Sequence, residues 1–233
     1  MPRFTKGAIP SPNIWNTPHI YELENRAVDP EGRAEAAMSA IRSWTGATVL
    51  DIGCGSGYHL PSLSATAARV IGVEPHEDLV TLARRRCGPL PNVEIHPATA
   101  QALPLPDASV DVAIARWAYF FGPGCEPGLA ELSRVMRRGG AAFVIDLDAT
   151  RGAFGRWFGR SVPAAYSVQS VERFWSGQGW QTQRLDLRMV FERRADLEAV
   201  LRIEFTPAVA DQAVAETPGL ELAYPNVLRW RRF

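Results

Sequence analysis

The sequence predicts an α/β protein in which a doubly wound, mostly parallel sheet carries helices on both of its faces. Short, nearly continuous apolar runs, such as residues 48–52 and 69–74, alternate with segments that have apolar residues at helical spacing. Runs of this kind are typical of parallel strands that are covered on both faces. Because the connections are short, we expect right-handed crossovers that place successive strands side by side.

The strands and helices follow one another in a regular order from residue 31 onward. Acidic residues begin and arginines end the predicted helix at residues 76–87, which complements the helix dipole. The predicted strands are residues 48–52, 69–74, 92–96, 110–115 and 141–147. The predicted helices are residues 31–44, a short helix from about residue 58, residues 76–87 and a helix around residues 129–136.

The pattern changes after residue 150. Residues 151–160 interleave arginines with aromatic residues, which is typical either of a surface for single-stranded nucleic acid or of a mobile lid over an aromatic substrate. The neutral net charge favours the lid. Residues 228–233 alternate apolar and basic side chains, as expected of an edge strand that charge protects. The remaining predicted elements are helices at 167–177, 195–205 and 208–216 and strands at 181–192 and 220–233.

Composition limits the class of partner and the compartment. The 233 residues are 46% hydrophobic, which is enough for a full core, and 25 Lys plus Arg balance 25 Asp plus Glu. No overall charge draws the protein to nucleic acid or to an anionic membrane, so we expect a small-molecule partner. Cys54, Cys87 and Cys125 form neither a disulfide framework nor a metal knuckle. With no apolar leader or membrane-length apolar run, the sequence predicts a soluble, cytoplasmic protein.

Residues 1–30 differ in composition from the rest of the chain. They are rich in proline and contain three large aromatic side chains, which predicts an extended arm outside the core. The remaining residues, 31–233, are predicted to form one domain. Within it, residues 45–148 would hold the ligand-binding half, and residues 149–233 the substrate side and the C-terminal strands.

A glycine-rich turn follows the first predicted strand. Glycine allows a positive φ and a close approach of the backbone to a ligand, and the helix after such a turn offers free N–H groups. The dinucleotide pattern G-x-G-x-x-G fails in both registers, because Tyr58 and Leu60 stand where its last glycine belongs. The phosphate-binding pattern G-x-x-x-x-G-K-[ST] fails as well. What remains, from Asp51 to Gly57, is D-x-G-x-G-x-G.

This run resembles the first motif of the class I S-adenosylmethionine-dependent methyltransferases. The resemblance implies a seven-stranded, Rossmann-like sheet, with the glycine turn against the methionine part of the cofactor and Asp51 ordering its amino-acid end. Glu74 ends the second strand about 20 residues beyond the glycines, where a carboxylate accepts hydrogen bonds from ribose hydroxyls.

A third stretch extends the resemblance, which covers residues 45–148. Residues 98–111 are similar to the family segment that usually reads Gly-Asp-Ala-Glu-x-Leu-Pro-Phe and then Asp-x-Ser-Phe-Asp. Thr99 replaces the usual acidic acceptor for the adenine amino group, although a hydroxyl also accepts, and the Ala100 backbone would meet the adenine edge. The cofactor-binding residues that the resemblance implies are Asp51, Gly53, Cys54, Gly55, Gly57, Glu74, Pro75, Thr99, Ala100 and Arg116.

Methyl transfer from a sulfonium needs positioning above all, and a base only where the acceptor atom is protonated. His19 and Tyr21 lie in the arm, which folds over the cofactor in similar enzymes. They are candidates for a base or an orienting group, but the favoured interpretation is that they anchor the arm. Arg116 follows a buried strand and is a third candidate, since it suits a substrate carboxylate; structural pairing with Glu74 or with residue 146 is the alternative.

The other histidines and a carboxylate pair have simpler interpretations. His59 follows the glycine turn, where it either reaches the site or, as the favoured interpretation, caps a helix or faces solvent. His76 and His96 are predicted to lie on the surface. Asp146 and Asp148 share one strand face, and two carboxylates suit a hydrogen-bonded wall better than a metal site. We therefore expect no metal.

The sequence thus predicts an S-adenosylmethionine-dependent methyltransferase that acts on an oxygen, nitrogen or carbon atom of a small metabolite and releases S-adenosylhomocysteine. No Asn/Asp-Pro-Pro-Tyr/Phe motif follows the fourth strand, which disfavours methylation of bases in nucleic acid. The alternative is a methyltransferase-like protein that binds the cofactor without transferring its methyl group, as a scaffold or for another reaction.

Overall fold

A computed structural model of the protein describes residues 4–162 and 166–233, which fold around a seven-stranded sheet. The strands are β1 (Thr48–Ile52), β2 (Arg69–Glu74), β3 (Val93–Pro97), β4 (Val110–Arg116), β5 (Met136–Leu147), β6 (Gln181–Val190) and β7 (Glu221–Arg232). The helices are α1 (Pro12–Asn16), α2 (Pro18–Ala27), α3 (Arg33–Ile41), α4 (Leu60–Ser64), α5 (Glu77–Cys87), α6 (Glu126–Val135), α7 (Gly152–Ser161), α8 (Val168–Gly177), α9 (Arg194–Glu204) and α10 (Pro207–Glu216).

The order of the strands is β3-β2-β1-β4-β5-β7-β6, which confirms the predicted doubly wound sheet. Strands β1 to β5 are parallel, and β7 is antiparallel to both β5 and β6. The strand order reverses between β1 and β4. In sheets of this kind a crevice opens beyond the carboxyl ends of the strands at such a reversal.

The two faces of the sheet carry separate hydrophobic clusters, as the alternation of side chains along a strand requires. On β1, Val49 packs in a cluster with residues of α3, α4 and α5, whereas Leu50 packs on the opposite face with residues of α6 and α8. Both side chains are fully buried. This double cover explains why Val49, Leu50 and Ile52 of β1 are apolar although they face both sides of the sheet.

The arm is more ordered than predicted, because it contains two helices. Pro12 and Pro18 stand at the beginning of α1 and α2, where the fixed φ and missing N–H of proline are favourable. Glu24 and Ala27 on α2 are buried. The prediction of an extended arm is therefore wrong for residues 12–27, where the prolines begin helices and do not interrupt them.

The segment at residues 151–160 is not a lid. It forms most of α7, and Phe154 and Trp157 are almost fully buried. Their rings pack against Phe205, with centroid distances of 4.9 and 5.9 Å, and Phe154 also meets Tyr224 at 4.7 Å. The aromatic residues thus belong to a core between α7, α9 and β7, and the spacing that resembled a binding surface is that of an amphipathic helix.

Strand β7 lies inside the sheet, between β5 and β6, so the predicted edge position of residues 228–233 is wrong. Arg229 is buried, donates to Oε1 of Glu172 at 3.1 Å and lies over the ring of Trp175. Its guanidinium contacts partners on α8, its Nη1 makes no hydrogen bond within the described residues, and its charge does not protect an edge. No helix in residues 4–162 and 166–233 has the length and apolar character to cross a membrane.

Candidate active site

A cavity of about 340 Å³ lies at the carboxyl ends of β1, β2 and β4, beneath the arm. Its floor is the glycine turn after β1, and the turn that follows β3 forms part of its wall. The residues that line it include Asn13, Ile14, Trp15, Tyr21, Asn25, Asp51, Gly53, Cys54, Gly55, His59, Glu74, Pro75, Thr99, Ala100, Arg116, Trp117, Tyr119 and Phe121.

The glycine turn is tightly packed on both sides. Gly53 and Gly55 have φ values of 75° and 55°, in the region that favours glycine. A Cβ atom on Gly53 would stand 2.5 Å from Cβ of Ala118, and one on Gly55 would stand 2.7 Å from Cδ1 of Ile14. The turn therefore needs glycine both for its backbone and for contact with the end of β4 and with the arm.

Glu74 joins the end of β2 to the glycine turn. Its Oε2 accepts a hydrogen bond from the Gly55 backbone N–H at 3.1 Å, and its Oε1 accepts one from the His76 backbone N–H at 2.9 Å. Burial raises the pKa of Glu74 to about 7, although the two N–H donors oppose the rise. Each carboxylate oxygen retains a lone pair, so Glu74 can still accept from a pair of hydroxyl groups.

Arg116 ends β4 and has an incomplete set of partners. Its guanidinium lies 3.6 Å from Oδ1 of Asp51 and 3.5 Å from Oε1 of Glu35, so it pairs with neither Glu74 nor Asp146 as the alternative interpretation proposed. Within the described residues, its two terminal nitrogens are buried and make no hydrogen bond. A buried guanidinium of this kind suits a carboxylate that arrives with a ligand.

Burial also raises the pKa values of two residues at the glycine turn, Asp51 and Cys54. Burial raises the pKa of Asp51, Arg116 counteracts this, and Glu35 adds to it. Burial raises the pKa of the Cys54 thiol well above its usual range, with smaller effects from Asp51 and Glu74. The thiol is thus protonated at neutral pH and is not poised to act as a nucleophile.

The remaining predicted cofactor residues divide into two groups. Pro75, Thr99 and Ala100 line the cavity next to Glu74, and both Thr99 and Ala100 are buried. Gly57 does not line it and packs against α5, where a Cβ atom would stand 3.0 Å from Cβ of Ala83. Gly57 therefore serves helix packing in this structure.

The two arm residues that the sequence singled out lie in different places. Tyr21 lines the cavity, and burial together with Glu24 and Glu204 raises the pKa of its hydroxyl well above the usual value. Tyr21 is therefore protonated at neutral pH and can donate a hydrogen bond. His19 is exposed and lies outside the lining of the cavity, so we leave it out of the proposed site.

The arm is fastened to the end of β2 by an aromatic stack. The ring of Trp15 lies 4.8 Å from the ring of His76 and 5.2 Å from that of Phe4, measured between centroids. The backbone N–H of Thr5 donates to the Pro75 carbonyl at 2.8 Å. His76 is only 2% exposed, so its predicted surface position is wrong: the arm covers it. His96 is partly exposed, beside Glu94.

The opposite side of the arm rests on α9 through polar groups. The side-chain amide of Asn13 donates to Oε1 of Glu204. Burial raises the pKa of Glu204 to about 7, and burial and then the charge of Glu204 raise that of Glu24. In the described part of the chain, Oε2 of Glu24 has no hydrogen-bond partner. These carboxyl groups therefore tend to hold protons near neutral pH.

Sequence reasoning favoured a helix cap or solvent for His59 over a place in the site, and it did not assign Trp15 or Phe121 to the site. His59 makes no helix-capping hydrogen bond and lines the cavity. Burial, Arg116 and Arg86 hold its pKa well below the usual range, so the imidazole is neutral at pH 7. Its position directly after the glycine turn was a usable signal. Trp117 and Tyr119 directly follow the fourth predicted strand, a position close to where substrate is expected to enter. No motif marks the arm residues, which only the fold brings to the site.

Asp146 and Asp148 do not line the cavity. Asp148 accepts from the side chains of Arg184 and Thr150. Burial raises the pKa of Asp146 to about 6, against the opposing charge of Arg229. Both carboxyl groups therefore contact neighbouring residues away from the cavity. Residues 4–162 and 166–233 contain no group of three or more His, Cys, Asp or Glu arranged for a metal ion.

The strand order, the glycine turn after β1 and the carboxylate at the end of β2 define a class of protein, the class I S-adenosylmethionine-dependent methyltransferases. Sequence comparison agrees. Residues 50–144 match the family described as "Methyltransferase domain". Residues 50–144 therefore carry a methyltransferase domain of this class, and the cofactor of such a domain is S-adenosylmethionine.

Individual relatives agree with the class. A probable S-adenosylmethionine-dependent methyltransferase from Mycolicibacterium smegmatis is 44% identical over 69 residues, 30% of this chain and 26% of that relative. A phosphatidylethanolamine N-methyltransferase from Cereibacter sphaeroides is 28% identical over 181 residues, 76% of this chain and 81% of the relative. The YcgJ protein of Bacillus subtilis has a similar fold, with a TM-score of 0.61 and 18% identity over 85% of this chain and 97% of that one. The matches span 31%, 26% and 24% of the first curated relatives.

Proposed function

We propose that this chain transfers the methyl group of S-adenosylmethionine to an oxygen, nitrogen or carbon atom of a small metabolite, an activity of class EC 2.1.1, and releases S-adenosylhomocysteine. The observation that carries the proposal is the arrangement of Glu74 and Arg116 in one cavity. They end β2 and β4, which flank β1. Two strand spacings separate them by about 10 Å, a span that suits a nucleoside at one end and an amino acid at the other.

The chain's own residues fit the two ends of this cofactor. Glu74 keeps free lone pairs where the two ribose hydroxyls would donate, and Thr99 and Ala100 lie beside it for the adenine edge. The buried, unpartnered nitrogens of Arg116 would hold the methionine carboxylate, and Asp51 would hold the amino group. The backbone at Gly53 would pack against the methionine chain.

When bound, the cofactor supplies an electrophilic methyl group on a sulfonium that leaves readily as a thioether. The protein then has to hold the acceptor atom in line and keep water out, and the arm over the glycine turn supports both roles. Tyr21 would donate a hydrogen bond that orients the acceptor. His59, neutral and on the cavity wall, would accept a hydrogen bond from an acceptor that carries a proton and would orient it.

Two measurements test this function. Calorimetry with S-adenosylmethionine and S-adenosylhomocysteine measures binding, and a tritiated-methyl assay measures transfer to a panel of amines, hydroxy compounds and carbon acids. The panel includes phosphatidylethanolamine, because the relative from Cereibacter sphaeroides is named for it. Binding followed by transfer supports the proposal. Binding without transfer to any acceptor favours a non-methylating protein, and failure to bind either ligand contradicts both functions.

The variant Glu74→Ala tests the assignment of the cofactor site itself. Loss of the carboxylate removes the acceptor for the ribose hydroxyls, so cofactor affinity should fall. The exposed Glu77, three residues along the chain on α5, provides the control Glu77→Ala. Unchanged affinity in Glu74→Ala would mean that the end of β2 does not hold the ribose.

A further inference from the structure

The segment after β4 forms one wall of the cavity with an unusual backbone. Trp117 and Tyr119 have φ values of 48° and 51°, in the left-handed region that large side chains rarely adopt. Such a backbone costs free energy and persists only where the surroundings determine it. Both side chains and Phe121 line the cavity, so the strained segment turns three aromatic residues toward one space.

A single buried side chain on β7 fixes the first of these rings. The indole Nε1 of Trp117 donates a 2.8 Å hydrogen bond to Oδ1 of Asn226. Asn226 is 0% exposed, and its own Nδ2 donates to the Tyr224 carbonyl at 2.9 Å, which fixes the orientation of the amide. Asn226 also pairs with Leu147 on β5 and Leu185 on β6, so the amide belongs to the rigid interior of the sheet.

The neighbours of Trp117 support the same geometry. Its backbone N–H donates to the Ile145 carbonyl at 2.9 Å, and its ring lies 6.0 Å from that of Tyr224. The ring of Tyr119 occupies space that only a glycine at residue 128 leaves open, since a Cβ there would stand 2.2 Å from its Cε1. The wall is thus held by contacts on its outer side, while its inner side faces the cavity.

The charges around this wall limit the kind of molecule that it receives. Among the described residues that line the cavity, Arg116 is the only side chain with a positive charge, since His59 is neutral. It already lies beside Asp51 and Glu35, and under the proposed function it also holds the cofactor's carboxylate. An anionic acceptor would therefore meet carboxylates with no free cation to pair with.

We propose that Asn226 is a positioning residue that fixes Trp117 as the wall against which an uncharged, flat, apolar acceptor packs. This inference rests on the proposed function, because it names the class of acceptor for the same site. Asn226 itself does not line the cavity and acts through the Trp117 ring. Asn226 on β7 provides the rigid support, and Trp117, in the segment after β4, provides the contact surface.

The test uses the full chain saturated with S-adenosylhomocysteine and two fluorescent probes, neutral 2-naphthol and anionic 2-naphthoate. In Asn226→Leu the indole loses its acceptor, and we expect 2-naphthol to bind roughly fivefold more weakly. Asn226→Asp should restore binding to within about twofold, since a buried carboxylic acid stays neutral, accepts from the indole and donates to the Tyr224 carbonyl. The affinity for S-adenosylhomocysteine should stay unchanged in both variants.

A double-mutant cycle separates positioning from general loosening of the sheet. If Asn226 acts through the ring, Asn226→Leu should add no further loss of 2-naphthol affinity in the Trp117→Phe background. Hydrogen exchange of the Trp117 indole N–H, followed by NMR, should be slow in the natural chain and fast in Asn226→Leu. Should that variant fail to fold, Asn226→Ser makes the same comparison with a smaller side chain.

Several outcomes overturn the inference. Unchanged 2-naphthol affinity in Asn226→Leu, together with faster indole exchange, would mean that the bond holds the ring without shaping the acceptor site. Equal binding of 2-naphthoate, or no binding of 2-naphthol, would contradict an uncharged aromatic acceptor. Failure of the natural chain to bind S-adenosylhomocysteine would instead contradict the proposed function, so the two failures are distinguishable.

Discussion

The guanidinium of Arg116 lies 3.6 Å from the carboxylate of Asp51, across the carboxyl ends of β4 and β1, and neither of its terminal nitrogens makes a hydrogen bond within the described residues. The pair is buried, so an unsatisfied guanidinium is costly. A ligand carboxylate would satisfy it and would leave Asp51 free to accept from an ammonium group. The amino-acid end of S-adenosylmethionine offers both groups.

The role of Arg116 is tested by comparing two ligands. Arg116→Met should weaken binding of S-adenosylhomocysteine by about ten- to a hundredfold, since a charged hydrogen bond to the carboxylate is lost. Binding of 5′-methylthioadenosine, which lacks the amino-acid part, should change little. Calorimetry on both ligands measures the difference.

Arg137→Met is the matched control for this change. Arg137 pairs with Asp111 at 2.9 Å, near the opposite end of the sheet from the cavity, and should affect neither ligand. If Arg116→Met weakened 5′-methylthioadenosine as much as S-adenosylhomocysteine, Arg116 would be a structural residue and not a carboxylate ligand.

The pKa of Glu74 predicts how cofactor affinity depends on pH. Its value of about 7 in the free protein means that below pH 7 a proton has to leave before the carboxylate accepts two hydroxyl groups. Affinity for S-adenosylhomocysteine should therefore rise from pH 6 to pH 8 and then level off. Calorimetry in buffers of different ionisation heat should detect the released proton near pH 7.

Glu74→Gln removes the titrating group but keeps one acceptor oxygen. Its affinity should be lower than that of the natural chain at pH 8 and nearly constant between pH 6 and pH 8. Glu77→Gln, on the exposed side of α5, should keep the natural pH profile. A Glu74→Gln protein that retained the full rise would show that another group causes it.

Contact between the glycine turn and the arm gives a third prediction. A Cβ atom on Gly55 would stand 2.7 Å from Cδ1 of Ile14, and the φ of 55° would be strained with any side chain. Gly55→Ala should therefore lift the arm and raise the dissociation rate of S-adenosylhomocysteine. Trp15 stacks on His76, so stopped-flow tryptophan fluorescence follows the arm when the Trp15→Phe protein serves as the reference that isolates the Trp15 signal.

The compensating variant distinguishes the clash from the backbone strain. Ile14→Ala removes the atom in the way, so the double variant should recover part of the slow dissociation but not the cost of the φ. Gly46→Ala is the control, since this glycine also has a positive φ, of 70°, but a Cβ atom there would meet nothing within 4 Å. No rescue by Ile14→Ala would mean that the arm does not rest on the turn.

The sequence predicts the central half of the fold well because there each element has its own local signal. The bounds of β1 and β2 agree with the prediction at every residue, since both strands are apolar runs flanked by turn residues. Glu74 and the glycine turn are close in sequence and follow a known spacing, so their meeting was foreseeable. The doubly wound sheet follows from the short connections, whereas the position of β7 between β5 and β6 was not predicted.

Long-range packing explains the parts that the sequence did not predict. Whether residues 151–160 face solvent or a core depends on Phe205 and Tyr224, which lie far along the chain. His76 is buried where Phe4 and Trp15 of the arm pack on it. The contact between Trp117 and Asn226 joins residues that no local pattern connects. Each of these outcomes depends on which segments meet, and periodicity carries no information about that.

The stability of the fold should depend on pH through Glu204. Its pKa is about 7 in the folded chain, above the ordinary value of 4.5, because burial disfavours the charged carboxylate. Between these values the folded state holds more protons than the unfolded state, so the free energy of unfolding falls as pH rises. The contribution of Glu204 is complete below pH 4.5 and lost above pH 7.

Glu204→Gln should remove this loss, because the Gln amide oxygen still accepts from Asn13 and carries no charge. We expect the variant to be about 1 to 3 kcal/mol more stable than the natural chain at pH 8 and equally stable at pH 4.5. Urea unfolding at both pH values measures the difference. Glu198→Gln, on the exposed side of the same helix α9, should show no such pH-dependent gain. Equal stability of Glu204→Gln and the natural chain at pH 8 would show that Glu204 is solvated and that the arm is not held against a buried carboxyl group.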